Sequence, residues 1–268
     1  MVNGYEIIDA HCHIYPDKIA ERAVHGTDTF YDITSKHKGT FADLISQKES
    51  SGVDKFLVQS VATTPHQVKS INEFIAREID LYGDFLIGFG TLHQDSETMK
   101  EDVLHLKKLG LKGVKLHPDI QNFKIDEKRY FQIYELCEEH NLPILMHTGD
   151  FRYDNSNPNR LIPILEKFKK LKIIGAHFGG WSIYDEASKQ LCGYENLYVD
   201  CSSAFYYLDK DTSKEIIRRY GADKVLFGSD YPMWDAGEEL SYFFSLNLSK
   251  EENEKILSKN LKKLLNIT

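Results

Sequence analysis

YEIIDAHCHIYP, residues Tyr5–Pro16, is the stretch on which the fold turns. It is an apolar run ending in two histidines one residue apart. An open, doubly wound sheet usually carries a glycine-rich phosphate fingerprint just after its first strand, and no such turn follows here. Seven further runs of the same kind succeed it: KFLVQSVA, FLIGFGTL, GVKLHP, PILMHTG, KIIGAHFGG, LYVDCSSA and KVLFGSDYP. They are apolar on both faces over most of their length, as strands buried between helices must be. Helical patterns lie between them. FADLISQKESSG follows the first run, and HQVKSINEFIAREIDLYG precedes the third. MKEDVLHLKKLG repeats Val103, Leu106 and Leu109 on one face, and RYFQIYELCEEHN does the same with Tyr130, Ile133, Tyr134 and Cys137. The tail SKEENEKILSKNLKKLLNI opens on a capping box, Ser249 with Glu252. Such alternation predicts parallel strands with right-handed crossovers. Eight units close most simply as an α/β, (β/α)8 TIM barrel with a C-terminal helical extension. No repeat or linker interrupts the pattern, so a single domain over 1–268 is expected.

Composition narrows the function classes. Lys and Arg number 33 against 41 Asp and Glu, a net charge of −8, and no basic block occurs. A phosphate backbone needs a positive face, so no nucleic-acid partner is expected. No uninterrupted apolar stretch has the ~18 residues of a spanning helix, so no membrane association is expected either. MVNGYEIID has neither the basic nor the apolar part of a signal peptide. Cys12, Cys137, Cys192 and Cys201 form no CxxC pair and no zinc-finger spacing. Reduced thiols in a cytoplasmic protein are the expectation.

Barrel chemistry gathers at the C-terminal ends of the strands. Here those ends carry His11 and His13, then Lys115 and His117, then His147, His177 and Asp230. Residues two apart on a strand share a face, so His11 and His13 can grip one cation while Cys12 points to the helical layer. Taken alone, a His-x-His is more often a pair of ordinary strand residues, and Asp230 alone could cap a helix. Burying several imidazoles and a carboxylate together without a cation is costly. His11, His13, His147 and Asp230 suit a borderline divalent ion such as Zn2+, with an open position for water whose pKa falls to about 7. His177 on the adjoining strand is free to hydrogen-bond a substrate oxygen or to act as general acid or base.

DAHCHI, LKGVKLHP, PILMHTG, IIGAHFGGW, VLFGSDYP and the terminal ILSKNLKKLL together resemble the amidohydrolase superfamily. In detail they are similar to the amidohydrolase-2 branch, which includes aminocarboxymuconate-semialdehyde decarboxylase and related enzymes. The resemblance implies a metal-dependent barrel enzyme with His11, His13, His147 and Asp230 as ligands and His177 as the catalytic histidine. It gives Asp230 a second role as proton shuttle. Some superfamily members carboxylate a strand-four lysine that bridges two ions, so Lys115 leaves a two-ion site open; a substrate-binding or structural lysine is preferred, with one Zn2+. His117 shares the face of Lys115 and is a candidate substrate contact. GVKLHP lacks the strand-four glutamate of the TatD-type nucleases. Family members are often dimers, so a homodimer is an expectation with no interface named.

Around the site, DFRYDNSNPNR supplies Arg152, a candidate clamp for a substrate carboxylate. The long segment YPDKIAERAVHGTDTFYDITSKHKG reads as a lid. Trp181, Tyr206, Tyr207 and Trp234 are candidates for an apolar wall. The expected function is hydrolysis of an amide, ester or lactone in a small acidic or cyclic molecule by a metal-activated water. The alternative, left open because the branch contains both, is nonoxidative decarboxylation of an unsaturated or aromatic carboxylic acid. A binding protein without turnover would not need His177 beside the water site.

Overall fold

The computed structural model describes residues 2–267. Its strands are β1 (Ile8–His13), β2 (Lys55–Gln59), β3 (Leu86–Gly88), β4 (Gly90–Thr91), β5 (Val114–Leu116), β6 (Ile144–Met146), β7 (Ile173–Gly175), β8 (Leu197–Asp200) and β9 (Val225–Leu226). They pair in parallel as β1-β2-β3 and as β4-β5-β6-β7-β8-β9. β3 and β4 are two halves of one stave, broken at Phe89. The break is spanned by backbone bonds from Phe89 N to Val58 O and from Gly90 N to Gly113 O. The far edges meet as well. Ala10 N donates to Phe227 O at 2.8 Å, and Asp230 N donates to His11 O at 2.9 Å. Cys12 and Tyr231 form a parallel bridge. The eight apolar runs thus close into the expected (β/α)8 barrel.

The helices are α1 (Asp17–Tyr31), α2 (Phe41–Ser51), α3 (Val68–Tyr82), α4 (Met99–Lys108), α5 (Pro118–Gln121), α6 (Phe131–Glu139), α7 (Ile162–Lys167), α8 (Tyr184–Leu191), α9 (Lys210–Tyr220), α10 (Ala236–Ser245), α11 (Lys250–Glu254) and α12 (Asn260–Leu265). Local chemistry starts several of them. Thr40 caps α2 through Asp43 N, and Asp209 caps α9 through two backbone N–H groups. The capping box of Ser249 and Glu252 opens α11 as expected. None of the described helices is long and apolar enough to cross a membrane. All four cysteines are free.

Two apolar cores follow from this geometry. The larger lies between the strands and the surrounding helices and contains Cys12, Val58, Phe74, Met146 and Phe243. The smaller fills the barrel interior with Ile8, Ala10, Leu57, Leu145, Ile174 and Leu226. Leu261 of α12 joins the interior core, with Leu264 and Leu265 packed against it, so the C-terminal helix stoppers the barrel at the end away from the histidines.

Two staves change phase on reaching the mouth. Ile8 and Ala10 face the interior, and simple alternation would then turn His11 outward. A register shift lies between Asp9 and Cys12. A bulge of this kind re-aims side chains, and here it brings His11 and His13 to the inner face. In the other stave, Ile174 and Ala176 face inward and His177 follows with φ 58°. Phe178 and Asp230 are also left-handed, at 52° and 67°. Such conformations cost a non-glycine residue on the order of 1–3 kcal/mol and concentrate at functional sites. They are held by His177 N donating to Asp200 Oδ1 and by Asp230 N donating to His11 O.

The expected lid is a regular helix. α1 runs from the end of β1 to the ends of β5 and β6 and buries only Ala20 and Val24 among its own residues.

Candidate active site

β1 contributes His11 and His13, β5 leads to Lys115 and His117, β6 to His147, β7 to His177 and β9 to Asp230. All are buried. His11 Nε2 lies 3.2 Å from His13 Nε2 and 3.2 Å from Asp230 Oδ1, while His13 Nε2 is 3.6 Å from the same oxygen. Lys115 Nζ stands 3.1 Å from His11 Nε2. His177 Nε2 faces His147 Nδ1 at 3.1 Å and Asp230 Oδ2 at 4.0 Å. The structure thus sets His11, His13, Lys115 and Asp230 against one another, whereas His147 meets this group through His177 and falls in a second donor set with His117 and Asp119.

The partners behind these rings fix which nitrogens face inward. His11 Nδ1 is 3.0 Å from Asp200 Oδ2, so it carries the proton and leaves Nε2 bare. His177 Nδ1 donates to Ser202 O, and His147 Nε2 donates to Gly149 O, both at 3.0 Å. Two bare nitrogens, His147 Nδ1 and His177 Nε2, then face each other. Asp230 Oδ1 is buried without a hydrogen-bond partner, whereas Oδ2 accepts from Ser203 at 2.6 Å. Converging lone pairs with an unpartnered carboxylate oxygen fit a divalent cation. His11, His13 and Asp230 form one compact donor group.

The electrostatics agree with neutral, ligand-ready imidazoles. Burial, and after it the Lys115 ammonium, pushes His11 and His13 well below the usual histidine range. Burial and the neighbouring His117 do the same to His147. Burial takes His177 down to about 4 and Lys115 down to about 8. The Asp230 carboxyl is raised by burial.

His117 and His147 stack with centroids 4.0 Å apart. Tyr31, at the end of α1, sets its hydroxyl 2.7 Å from His117 Nε2 and 3.3 Å from His147 Nε2. Above the donor cluster lies a cavity of about 770 Å3 walled by Ile19, Phe30, Ile71, Phe74, Ile120 and Met233.

Two readings of the surroundings change. Arg152 is outside the cavity lining. Its guanidinium makes a forked pair with Asp150, donates to Phe30 O, and lies over the rings of Phe30, Tyr31, Tyr153 and Trp181. A side chain so engaged fastens the end of α1 instead of clamping a carboxylate. Trp181, Tyr206, Tyr207 and Trp234 pack against one another, Tyr206 stacked on Trp234 and Tyr207 edge-on to Trp181 and Trp234, and they do not line the cavity.

Sequence reasoning missed four side chains. Asp200 ends LYVD as Asp230 ends its own run, a signal of the same form, and it orients both His11 and the His177 backbone. Ser202 and Ser203 follow it. Gln59, paired in register with His13, is buried with neither amide atom partnered.

The family model described as "Amidohydrolase" matches residues 8–267. Among solved structures, a TIM-barrel protein of Bordetella bronchiseptica superposes with a TM-score of 0.80 at 20% identity, covering 97% of this chain and 98% of that one. 5-Carboxyvanillate decarboxylase of Sphingomonas paucimobilis gives 0.80 at 12% identity, covering 99% and 100%. A dihydroxybenzoic acid decarboxylase of a Polaromonas species, with bound manganese, gives 0.76 at 15% identity, covering 98% and 97%. At these identities the likeness establishes a shared fold.

Proposed function

The chain belongs to the amidohydrolase family, and from that premise we propose that it is a metal-dependent lyase that removes the carboxyl group of an aromatic or unsaturated carboxylic acid without oxidation. The carrying observation is a cluster of bare imidazole nitrogens and a carboxylate at the floor of a cavity whose wall includes the apolar and aromatic side chains Ile19, Phe30, Ile71 and Phe74. Such walls accommodate a flat acid and let neutral carbon dioxide leave. Two solved structures of the same fold are a 5-carboxyvanillate decarboxylase and a dihydroxybenzoic acid decarboxylase, which supports the choice.

His11, His13, His147 and Asp230 would hold the ion, zinc or manganese. Bound there, the ion supplies Lewis acidity toward an oxygen of the substrate. The remaining work falls to the chain itself. Asp200 keeps His11 in one tautomer, and Ser203 holds one Asp230 oxygen. The bond between the ring carbon and the carboxyl carbon breaks, its electron pair stays on the ring carbon, and a proton takes the place of carbon dioxide there. His177 and Asp230 are the groups placed to hold or move that proton. Phe30, Phe74 and Ile71 exclude water from the carbon.

Hydrolysis of an amide, ester or lactone is the second reading. It is favoured by Lys115, which is buried and reaches His11 Nε2 at 3.1 Å. This is where a carboxylated lysine would meet the metal ligands. One experiment separates the two. Zinc- or manganese-loaded protein is offered panels of hydroxybenzoates, lactones, amides and esters in heavy-oxygen, deuterated water. Carbon dioxide release with deuterium on the product carbon and no solvent oxygen supports the lyase. Solvent oxygen in the product overturns it in favour of the hydrolase.

A further inference from the structure

The cavity extends well beyond the donor cluster. Its volume of about 770 Å3 is far larger than a single-ring acid needs, and it lies high in the range of ~300–1,000 Å3 typical of drug-sized ligands. Two helices form its outer walls. On α1 the lining residues include Ile19, Arg22, Ala23, Gly26, Thr27 and Phe30, a spacing of three and four that marks one continuous helix face. On α3 and the turn before it they are Gln67, Ser70, Ile71, Phe74 and Arg77, again one face.

The charges on these walls have one sign. Lys18, Arg22 and Arg77 line the cavity, and Asp230 at the floor is the one carboxylate that does so among the described residues. The chain as a whole carries −8, so a cationic groove is not an average piece of its surface. Lys18 and Arg22 stand four apart on α1, an arrangement of like charges that costs a helix about 0.2–0.5 kcal/mol. Neither forms an ion pair within the described residues, although the helix also carries Asp17 and Glu21. Arg77, on the facing helix, lies over the Phe74 ring and has only a 3.6 Å contact with Glu78.

We propose that the groove between α1 and α3 binds a second anionic group on the substrate, a carboxylate or a phosphate, with Lys18 and Arg22 as its principal counter-ions and Arg77 opposite them. This rests on reading the floor of the cavity as the site where an organic acid reacts. The substrate is then an elongated dianion: one acid group at the histidine cluster, an apolar middle against Phe30, Ile71 and Phe74, and the second anion between the helices.

The test is calorimetric binding to the zinc-loaded full chain. The probes are para,para′-biphenyl dicarboxylate, para-biphenyl monocarboxylate, and the monocarboxylate bearing a para′-phosphonate. The dianions should bind at least about tenfold more tightly than the monoacid, the worth of one charge-assisted contact. The double variant Lys18→Glu/Arg22→Glu, with an unchanged melting temperature, should lose that advantage while the monoacid stays within about twofold. Arg77→Gln should give a smaller loss in the same direction. Whichever dianion is preferred names the anion. Equal affinity for monoacid and dianions in the wild type overturns the proposal. So does a loss in the double variant that is shared by the monoacid, or failure of every probe to bind. Dianion binding that is lost in the double variant, with no binding of the monoacid, keeps the groove assignment and removes instead the acid-binding reading of the floor.

Discussion

Replacing Glu239 with glutamine should abolish a pH-dependent loss of stability. Glu239 lies on α10, 6% exposed, and its Oε2 has no hydrogen-bond partner. Burial first, then the charges of Asp9 and Asp230, raise its pKa from 4.5 to about 8. Between those values the folded protein keeps the proton while the unfolded chain releases it. The stabilisation is therefore complete below 4.5 and is lost as pH rises through about 8. At ~1.4 kcal/mol per unit, the whole window is worth on the order of 5 kcal/mol as an upper figure. Relaxation and water entry around the charged form reduce it to about half. Glutamine keeps the shape and never ionises. The variant should match wild type near pH ~5 and exceed it by about 2–3 kcal/mol near pH ~9, or about 5–10 °C in melting temperature. Urea and thermal unfolding of both proteins across this range, followed by circular dichroism, reads the difference directly. Asp9, itself raised to about 6 by burial, titrates in both proteins, and because its charge helps raise Glu239 the gap between them should widen once Asp9 has ionised. A gap between variant and wild type that is the same at both ends of the range would refute the reasoning.

Asp200→Asn should weaken zinc binding about 10–100-fold by removing the carboxylate behind His11 Nδ1, as read by competition with a chromophoric chelator; unchanged affinity would contradict the orienting role. Asp230→Ala should cost at least as much in the same assay, because it removes the unpartnered oxygen that faces both β1 histidines. Leu261→Ala should lower stability by about 2–5 kcal/mol in urea while leaving zinc affinity intact, since it opens the barrel interior far from the mouth. Gly149→Ala should destabilise by more than ~1 kcal/mol: Gly149 has φ +78° and an added Cβ would sit 2.5 Å from the Gly180 backbone. The same clash lies two residues from His147, so zinc affinity should fall with it.

How much of this was legible depends on which physical signal each residue carried. The strand order could be read because each run is apolar on both faces, a pattern that surface elements do not share. His147 and Asp230 could be placed because each follows the apolar part of its run in unbroken alternation. Asp200 carries the same signal as Asp230, but its role lies behind the rings of His11 and His177, and that placement depends on tertiary contacts between three staves. α1 was legible as a long insertion but not as a helix, because only a thin stripe of it is buried and its apolar face looks into the cavity. The break of the third stave at Phe89 leaves no mark in FLIGFGTL, which is uniformly apolar. Arg152 illustrates the opposite failure. Its place on the loop after the His147 run suggests a clamp for a substrate carboxylate, whereas Asp150, two residues away, already holds its guanidinium.

The register shift in β1 has a further consequence for engineering. Because Ile8 and Ala10 belong to the interior filling and His11 and His13 to the mouth, one strand serves two environments only by slipping half a period between them. Copying the two histidines onto a regularly alternating strand of another barrel would therefore keep both rings on one side of the sheet, but on the side opposite to the one Ile8 and Ala10 use. A transplant of this motif has to carry Asp9, whose carboxylate accepts the His11 and Ser229 backbone N–H groups across the irregularity, together with the receiving turn on the last stave. The portable unit is the kink and its brace, with the imidazoles as passengers.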